Sequence, residues 1–158
     1  MNFRTTILFA CLILFGLGSC MKEDNFDPEK QAVLDDAAIA KYLQDNNIAA
    51  EKHSSGIYYQ ILEPGTGNVT YAATTSISAR YKGRLLDGTV FDPSGTNPIS
   101  FQLGGVIAGW QIGIQFIQKG GKIRLFIPSA YAYGPSGYGS IPGNAVLDFD
   151  IELVDAQN

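Results

Sequence analysis

The sequence predicts an α+β fold in which a curved antiparallel β-sheet, a half-barrel, wraps around one short helix. Two observations lead to this prediction. From Gly56 onward, apolar and polar residues alternate with the period of two that is typical of half-buried strands. Residues 109–118, GWQIGIQFIQ, break this alternation and place Trp110, Ile114 and Ile117 on one helical face. We therefore expect the short helix to lie against the inner face of the sheet.

The composition limits the classes of protein to which the chain can belong. With 158 residues, of which 46% are apolar and 16% charged, it is long enough for one globular domain with a sizeable core. The net charge is −4, and no basic patch interrupts the mildly acidic balance. We therefore expect no nucleic-acid partner.

Residues 1–19 have the features of a secretory signal peptide. A basic start, MNFR, precedes the apolar run 7–17, which is too short to span a bilayer. The following Leu17-Gly18-Ser19-Cys20 resembles the bacterial lipobox, in which the cysteine is acylated and becomes the first mature residue. This predicts a protein of the bacterial envelope, anchored in a membrane through lipid on Cys20. The alternative is an ordinary secretory signal with a chance cysteine.

The outer membrane is the expected location of the anchor, at its periplasmic face or at the cell surface. MKED, directly after Cys20, resembles the acidic export signal of some surface lipoproteins. A solvated tether explains the same four residues equally well.

A helix is predicted over 29–47, ahead of the sheet. The segment is rich in alanine, and Val33, Ala37, Ala40 and Leu43 lie near one face. This helix could pack on the domain or mediate a homodimer, and the spacing does not decide between them. We place the lipidated cysteine, tether and helical extension in 20–53 and the folded domain in 54–158. His53, in the polar linker between them, is expected to be solvated.

Strands are bounded by turn residues throughout the folded domain. Asp87-Gly88, a strong hairpin signal, separates two of them. The expected strand segments are 56–62, 76–86, 89–92, 99–103, 122–127 and 144–154.

Charge predicts one strand pairing. The outer face of 78–84 is basic, and Asp148, Asp150 and Glu152 make the outer face of 148–152 acidic. Opposite charges on neighbouring strands stabilise a pair by roughly 0.2–1 kcal/mol. We therefore expect the two strands to be adjacent, with the three acidic side chains forming a solvated face.

The usual catalytic groups are missing from the folded domain. No histidine or cysteine follows His53, and no phosphate loop or metal-ligand cluster is evident, so we expect no metal and no cofactor. The loop 128–143, by contrast, holds three tyrosines and no charge. Loops that retain aromatic side chains often bind ligands. The residues alone therefore predict a binding site for a small apolar ligand that carries polar groups at its ends.

Four motifs carry a resemblance to a known family. YKGRLLDGTVFDPS (81–94), FQLGGVIAGWQIGI (101–114), AYAYG (130–134) and AVLDFDIEL (145–153) resemble the FKBP-type peptidyl-prolyl isomerases, in the order and near-spacing of that family. The preceding stretch resembles the N-terminal extension of bacterial lipoprotein members. The resemblance covers about 56–155 and implies an FKBP-like fold and peptidyl-prolyl cis-trans isomerase activity. It further implies proline-containing polypeptides as partners and macrolides as candidate inhibitors.

The resemblance also implies the site residues. The expected catalytic set is Tyr81, Phe91, Asp92, Trp110, Tyr133 and Phe149, and the expected substrate-binding set is Ile99, Val106, Ile107, Tyr138 and Ile141. Trp110 would form the floor, the Ile107 N–H would hold a substrate carbonyl, and Tyr133 would donate its hydroxyl. Ile99 and Tyr138 depart from the phenylalanine and histidine of the best-known members. These departures bring macrolide binding and sequence preference into question.

Two other functions fit the same sequence. An FKBP-like domain could bind peptides as a chaperone lipoprotein without catalysing their isomerisation. The chain could also be an interaction lipoprotein that dimerises through the 29–47 helix.

Overall fold

The computed structural model describes residues 26–158, which form two helices and seven strands. An open antiparallel sheet has the strand order β1-β2-β6-β7-β3-β4, and β5 pairs separately with β3. The predicted fold class, a curved antiparallel sheet around a short helix, is confirmed. The elements are α1 (Pro28–Asp45), β1 (Glu51–Lys52), β2 (Tyr58–Glu63), β3 (Ser76–Leu85), β4 (Val90–Pro93), β5 (Ile99–Gln102), α2 (Ala108–Gly113), β6 (Lys122–Ile127) and β7 (Leu147–Gln157). No helix within 26–158 has the length and apolar character needed to cross a membrane.

The charge-based strand pairing is confirmed. β7 lies beside β3 in an antiparallel register that sets Arg80 opposite Glu152 and Lys82 opposite Asp150. β6 pairs with the other edge of β7, so β7 is the central strand of the sheet. Because β3, β6 and β7 are neighbours, their inward-facing side chains form one continuous apolar surface.

The main core lies between that surface and α2. Trp110 and the fully buried Ile114 and Ile117 lie on the same side of the helical segment, as their spacing predicted. They pack with inward side chains of β6 and β7 such as Leu125 and Leu147, neither of which is exposed. Each such side chain stabilises the fold by about 1.5–3 kcal/mol. This packing fixes α2, and with it Trp110, against the sheet.

The N-terminal helix packs on the outer face of the sheet. Asp27 caps it by accepting the N–H groups of Glu29 and Lys30 at 3.0 and 3.1 Å. Ile39 and Leu43 are buried with Phe126 of β6 and with Val146, forming a second apolar cluster. The helix therefore covers apolar surface that the strands alone would leave in contact with water.

Only part of the apolar face expected for α1 is buried. Leu43 is buried, but Val33 is 69% exposed, and Ala37 and Ala40 are exposed as well. Asp35 and Ile39 are buried instead. The apolar spacing of the helix does not reveal its buried stripe, because that stripe includes a carboxylate that finds hydrogen-bond donors in the domain.

Asp148 is also not the solvated residue that the sequence predicts. It is fully buried, whereas Asp150 and Glu152 on the same strand keep side-chain exposures of 44% and 37%. Arg84 and Arg124 flank the Asp148 carboxylate and donate to it at 2.7–3.3 Å. The two guanidinium groups exclude water from Asp148 while satisfying both of its oxygens.

His53 is partly buried rather than fully solvated. Its Nδ1 lies 2.9 Å from the hydroxyl of Ser55, and its ring packs 5.5 Å from that of Phe116. This contact is made with the short helical turn Ile114–Phe116 that follows α2.

Candidate peptide-binding site

A cavity of about 250 Å³ opens beside α2 on the inner side of the sheet. Its walls come from strands, the turn before α2 and the loop 128–143, called the flap below. The lining residues are Tyr81, Asp92, Phe101, Gly105, Val106, Ile107, Trp110, Tyr133 and Phe149. Most of these side chains are aromatic or aliphatic and only Asp92 is charged, so the cavity suits an apolar group with polar atoms at its edge.

Trp110 forms the centre of an aromatic box. Its indole is only 4% exposed and meets the rings of Tyr81 and Phe149 edge to face, with centroids 5.1 and 5.4 Å apart. Phe101 completes the arrangement at 6.0 Å and 74°. Edge-to-face contacts of this kind are worth about 0.5–1.5 kcal/mol each beyond the burial of area. The rings therefore hold one another in place before any ligand arrives.

The helix carrying Trp110 lies close to the sheet because a glycine precedes the tryptophan. A Cβ at Gly109 would lie only 2.7 Å from Cδ1 of Ile127. Since Ile127 is fully buried in β6, it has no free space into which to move. Gly109 thus permits the close helix–sheet approach that sets the depth of the cavity floor.

Tyr81 and Asp92 form the polar wall. The Tyr81 hydroxyl donates to Oδ2 of Asp92 at 3.0 Å, joining β3 to β4. Burial, followed by the hydrogen bond to Asp92, raises the pKa of Tyr81 to about 12. Tyr81 is therefore a neutral donor across the ordinary pH range, and the carboxylate of Asp92 keeps a second oxygen for other donors.

Polar donors without partners surround the apolar floor. The N–H of Ile107, just ahead of α2, and the hydroxyl of Tyr133 donate to no atom within residues 26–158. The Nε1–H of Trp110 is buried and likewise has no partner in that range. An unpaired buried donor such as the Trp110 Nε1–H is costly and uncommon in folded proteins. Together with the half-buried donors of Ile107 and Tyr133, it favours a ligand that accepts hydrogen bonds at this cavity.

The flap closes one side of the cavity. The rings of Tyr133 and Tyr138 stack at 5.3 Å with an angle of 15° between their planes. Tyr138 and Ile141 exchange backbone hydrogen bonds at 2.9 Å, which brace the tip of the loop. A second depression of about 190 Å³, lined by Phe91, Tyr138 and Ile141 among others, continues from the cavity beneath the flap.

The structure brings most of the expected site residues together. Seven line the cavity: Tyr81, Asp92, Val106, Ile107, Trp110, Tyr133 and Phe149. Phe91, Tyr138 and Ile141 line the adjoining depression. Their roles in binding and catalysis remain proposals. Cys20 lies outside the described residues.

Ile99 does not lie in either depression, contrary to the expectation for a substrate-binding residue. It begins β5 opposite Ala79, and 40% of it is exposed. Phe101, two residues further along the same strand face, instead packs against Trp110 in the cavity. The aromatic side chain and its period-two spacing from Ile99 are the signals that could have identified Phe101. Gly105 was missed too, and a glycine without a side chain offers no such signal.

Comparison with known proteins agrees with this geometry. A family model described as FKBP-type peptidyl-prolyl cis-trans isomerase matches residues 67–154. Over 135 residues the chain is 43% identical to the isomerase FkpA of Escherichia coli strain K12, covering 82% of this chain and 49% of that one. The crystal structure of E. coli FkpA superposes with a TM-score of 0.71 at 41% identity, covering 82% of this chain and 62% of FkpA.

A structure of a peptidyl-prolyl cis-trans isomerase from Pseudomonas syringae pv. tomato matches over nearly its whole length. Its TM-score is 0.70 at 35% identity, with 85% of this chain and 98% of that chain covered. The sheet, the short helix and the aromatic cavity therefore define an FKBP-like protein. The chain belongs to the FKBP-type peptidyl-prolyl cis-trans isomerase family. It spans about half the length of the curated relatives it matches.

Proposed function

We propose that this chain is a peptidyl-prolyl cis-trans isomerase that binds a prolyl segment in the Trp110 cavity and accelerates rotation about the X–Pro bond. The observation that carries the proposal is the aromatic box, with the unpartnered Trp110 Nε1–H at its floor and the donors of Ile107 and Tyr133 at its rim. The substrates are proline-containing segments of folding or unfolding envelope and surface proteins. A proline ring would lie on Trp110, with the peptide extending toward Tyr133 and the flap.

The apolar floor would lower the barrier by selecting the twisted amide. Rotation costs about 18–20 kcal/mol because the planar amide loses resonance on twisting. The planar form has the larger charge separation and therefore needs more solvation. The surroundings of Trp110, Phe101 and Phe149 provide little solvation, so they disfavour the planar ground state relative to the twisted transition state.

The rim donors would hold the peptide in a conformation that favours twisting. The Ile107 N–H would bind a substrate carbonyl, and the Tyr133 hydroxyl would donate to a second peptide oxygen. A millionfold acceleration requires about 8 kcal/mol. Preorganised binding of this kind can supply that amount without a nucleophile, a metal or a proton shuttle.

A cis/trans assay on purified residues 21–158, with a proline-containing tetrapeptide, tests the proposal. We expect acceleration that falls about tenfold or more in Phe91→Ala and falls less in Tyr133→Phe, because one hydrogen bond to an uncharged group is worth about 0.5–1.5 kcal/mol. Absence of acceleration by the folded wild-type protein would overturn the enzymatic function.

A non-catalytic peptide-binding or chaperone function is the alternative. It is favoured by Tyr138, which is 70% exposed at the flap and offers an apolar surface to a bound chain. Peptide binding without turnover, measured by calorimetry beside the cis/trans assay, would support this alternative. Macrolide binding is a related proposal that rests on the family resemblance of the cavity residues, and inhibition of turnover by a macrolide tests it.

We further propose that Cys20 carries lipid and anchors the domain in the bacterial envelope, at the outer membrane. The apolar run 7–17 and the small residues before Cys20 support the lipid anchor, and MKED after Cys20 supports the outer membrane. Metabolic labelling with a fatty acid should label the wild-type chain but not Cys20→Ser. Fractionation of labelled cells and protease access to intact cells would distinguish the periplasmic face from the surface.

Homodimer formation through α1 is a third proposal. Val33 and Leu34 are 69% and 53% exposed on the helix, and they could pack against a second copy. Sedimentation of residues 21–158 should show a dimer that Leu34→Asp dissociates. A wild-type monomer at all accessible concentrations would contradict it.

A further inference from the structure

Asp35 is a buried carboxylate that joins the N-terminal helix to Ser129, the second residue of the flap. Asp35 is 3% exposed, and its partner Ser129 is 1% exposed. Oδ2 of Asp35 accepts both the backbone N–H and the hydroxyl of Ser129, at 2.8 and 2.7 Å. Oδ1 accepts from the side-chain amide of Gln31 at 2.7 Å. The three residues in these contacts are distant in sequence from the strand residues that line the cavity.

The position of Asp35 is set by the docking of α1. One turn further along, Ile39 packs fully buried in the cluster with Phe126. The neighbouring Asp36 accepts from the Tyr58 hydroxyl at 2.9 Å and pairs with Lys52 at 2.6 Å. Because α1 is held on the sheet at these points, Asp35 is a fixed acceptor rather than a mobile surface group.

Ser129 in turn determines where the flap begins. It opens the helical turn Ser129–Tyr131, in which its carbonyl accepts from the N–H of Ala132 at 3.0 Å. Tyr133 lies two residues after the end of that turn and lines the cavity. Only three residues separate Ser129 from Tyr133, so a change in the path of Ser129 is transmitted to the tyrosine ring.

The chemistry of the contact makes it costly to lose. A buried carboxylate is tolerated when its oxygens are hydrogen-bonded, as those of Asp35 are. Removing the carboxylate would leave the N–H and the hydroxyl of Ser129 without acceptors in a buried position. The base of the flap would then move toward other acceptors or toward water.

We propose that Asp35 is a positioning residue for isomerisation: it fixes the base of the flap and thereby holds Tyr133 over the cavity. The inference rests on the proposed isomerase function. It implies that α1 is needed for full isomerase activity. A chain with a mispositioned flap would retain the aromatic floor of Trp110 but lose the contribution of Tyr133.

The test compares Asp35→Ala with Asp36→Ala in purified residues 21–158. Both changes remove an acidic anchor of the same helix, but only Asp35 contacts the flap. We expect Asp35→Ala to lower kcat/KM by about as much as Tyr133→Phe does, roughly three- to tenfold. Asp36→Ala should change kcat/KM by less than about twofold, because its ion pair is about half exposed.

Two further variants separate positioning from general destabilisation. Asp35→Asn keeps an oxygen for Ser129, and the amide of Gln31 can turn to accept from the new amide, so this variant should retain most of the activity. In a Tyr133→Phe background, Asp35→Ala should have little additional effect, because both changes remove the same contribution. Ser129→Ala removes only the hydroxyl and gives the same test if Asp35→Ala does not fold.

Hydrogen exchange gives a readout that needs no catalysis. Exchange at the amides of Ala132, Tyr138 and Ile141, which are hydrogen-bonded within the flap, should accelerate in Asp35→Ala and not in Asp36→Ala. Equal exchange and equal kcat/KM in the two variants would overturn the inference, as would full additivity with Tyr133→Phe. An inactive wild-type protein would overturn the proposed function alone, and hydrogen exchange would then decide whether Asp35 fixes the flap.

Discussion

The hydroxyl of Tyr81 donates to Oδ2 of Asp92 at 3.0 Å, joining two neighbouring strands at the wall of the cavity. The same tyrosine ring meets the edge of Trp110 at 5.1 Å. One side chain thus connects the polar wall to the apolar floor, and its protonation state affects both.

The first prediction concerns the titration of Tyr81. Burial, and then the hydrogen bond to Asp92, raises its pKa from 10.0 to about 12. Because the folded protein holds this proton more tightly than the unfolded chain, the stabilisation is complete below pH 10 and is lost as the pH rises through about 12. NMR titration of tyrosine labelled with ¹³C at Cζ should show a resonance with this midpoint that is absent in Tyr81→Phe. A titration midpoint near 10 for Tyr81 would contradict its burial and its hydrogen bond to Asp92.

The second prediction uses Trp110, the single tryptophan of the chain. Since the indole is 4% exposed at the cavity floor, its emission should be that of an apolar environment and should change when a proline-containing peptide binds. A peptide with alanine in place of proline is the matched control and should cause a smaller change at the same concentration. Identical responses to the two peptides would show that the floor does not select proline.

The third prediction concerns the packing behind the cavity. A Cβ at Gly83 would lie 2.6 Å from Cε1 of Phe149 and 2.7 Å from Cε2 of Phe91. Gly83→Ala should therefore force these rings apart and lower the free energy of unfolding by about 1–3 kcal/mol. Gly105→Ala, where a Cβ meets no atom within 4 Å, is the control. Urea unfolding of both variants tests the prediction, and equal stabilities would refute it.

The fourth prediction concerns the buried charge cluster on the outer face. Asp148→Asn leaves Arg84 and Arg124 facing a neutral group, and we expect a loss of roughly 3 kcal/mol in the free energy of unfolding. Asp150→Asn alters a side chain that is 44% exposed yet also pairs with Arg84, so its cost should stay below about 1 kcal/mol. Thermal and urea unfolding should rank the two variants in this order. A larger loss of unfolding free energy in Asp150→Asn than in Asp148→Asn would contradict the burial of Asp148.

Local pattern was sufficient for much of the fold. Alternation after Gly56 identified the strands, and the break at 109–118 located the helix that carries Trp110. Opposite charges on β3 and β7 predicted their pairing, because side chains that face each other across strands must be compatible in charge. The motifs around Tyr81, Trp110 and Tyr133 were enough to predict residues that line one cavity.

The sequence by itself therefore determined most of the elements, one strand pairing and the family, because periodicity, turn residues and motifs can be recognised without knowing the tertiary structure. Only the tertiary structure decided that Asp148 is buried, that Phe101 rather than Ile99 reaches the cavity, and that Asp35 meets Ser129. Each of these outcomes depends on which side chains from distant segments pack against the residue in question. A carboxylate has the same local pattern whether it faces water or two guanidinium groups, so its environment is set only when the segments pack.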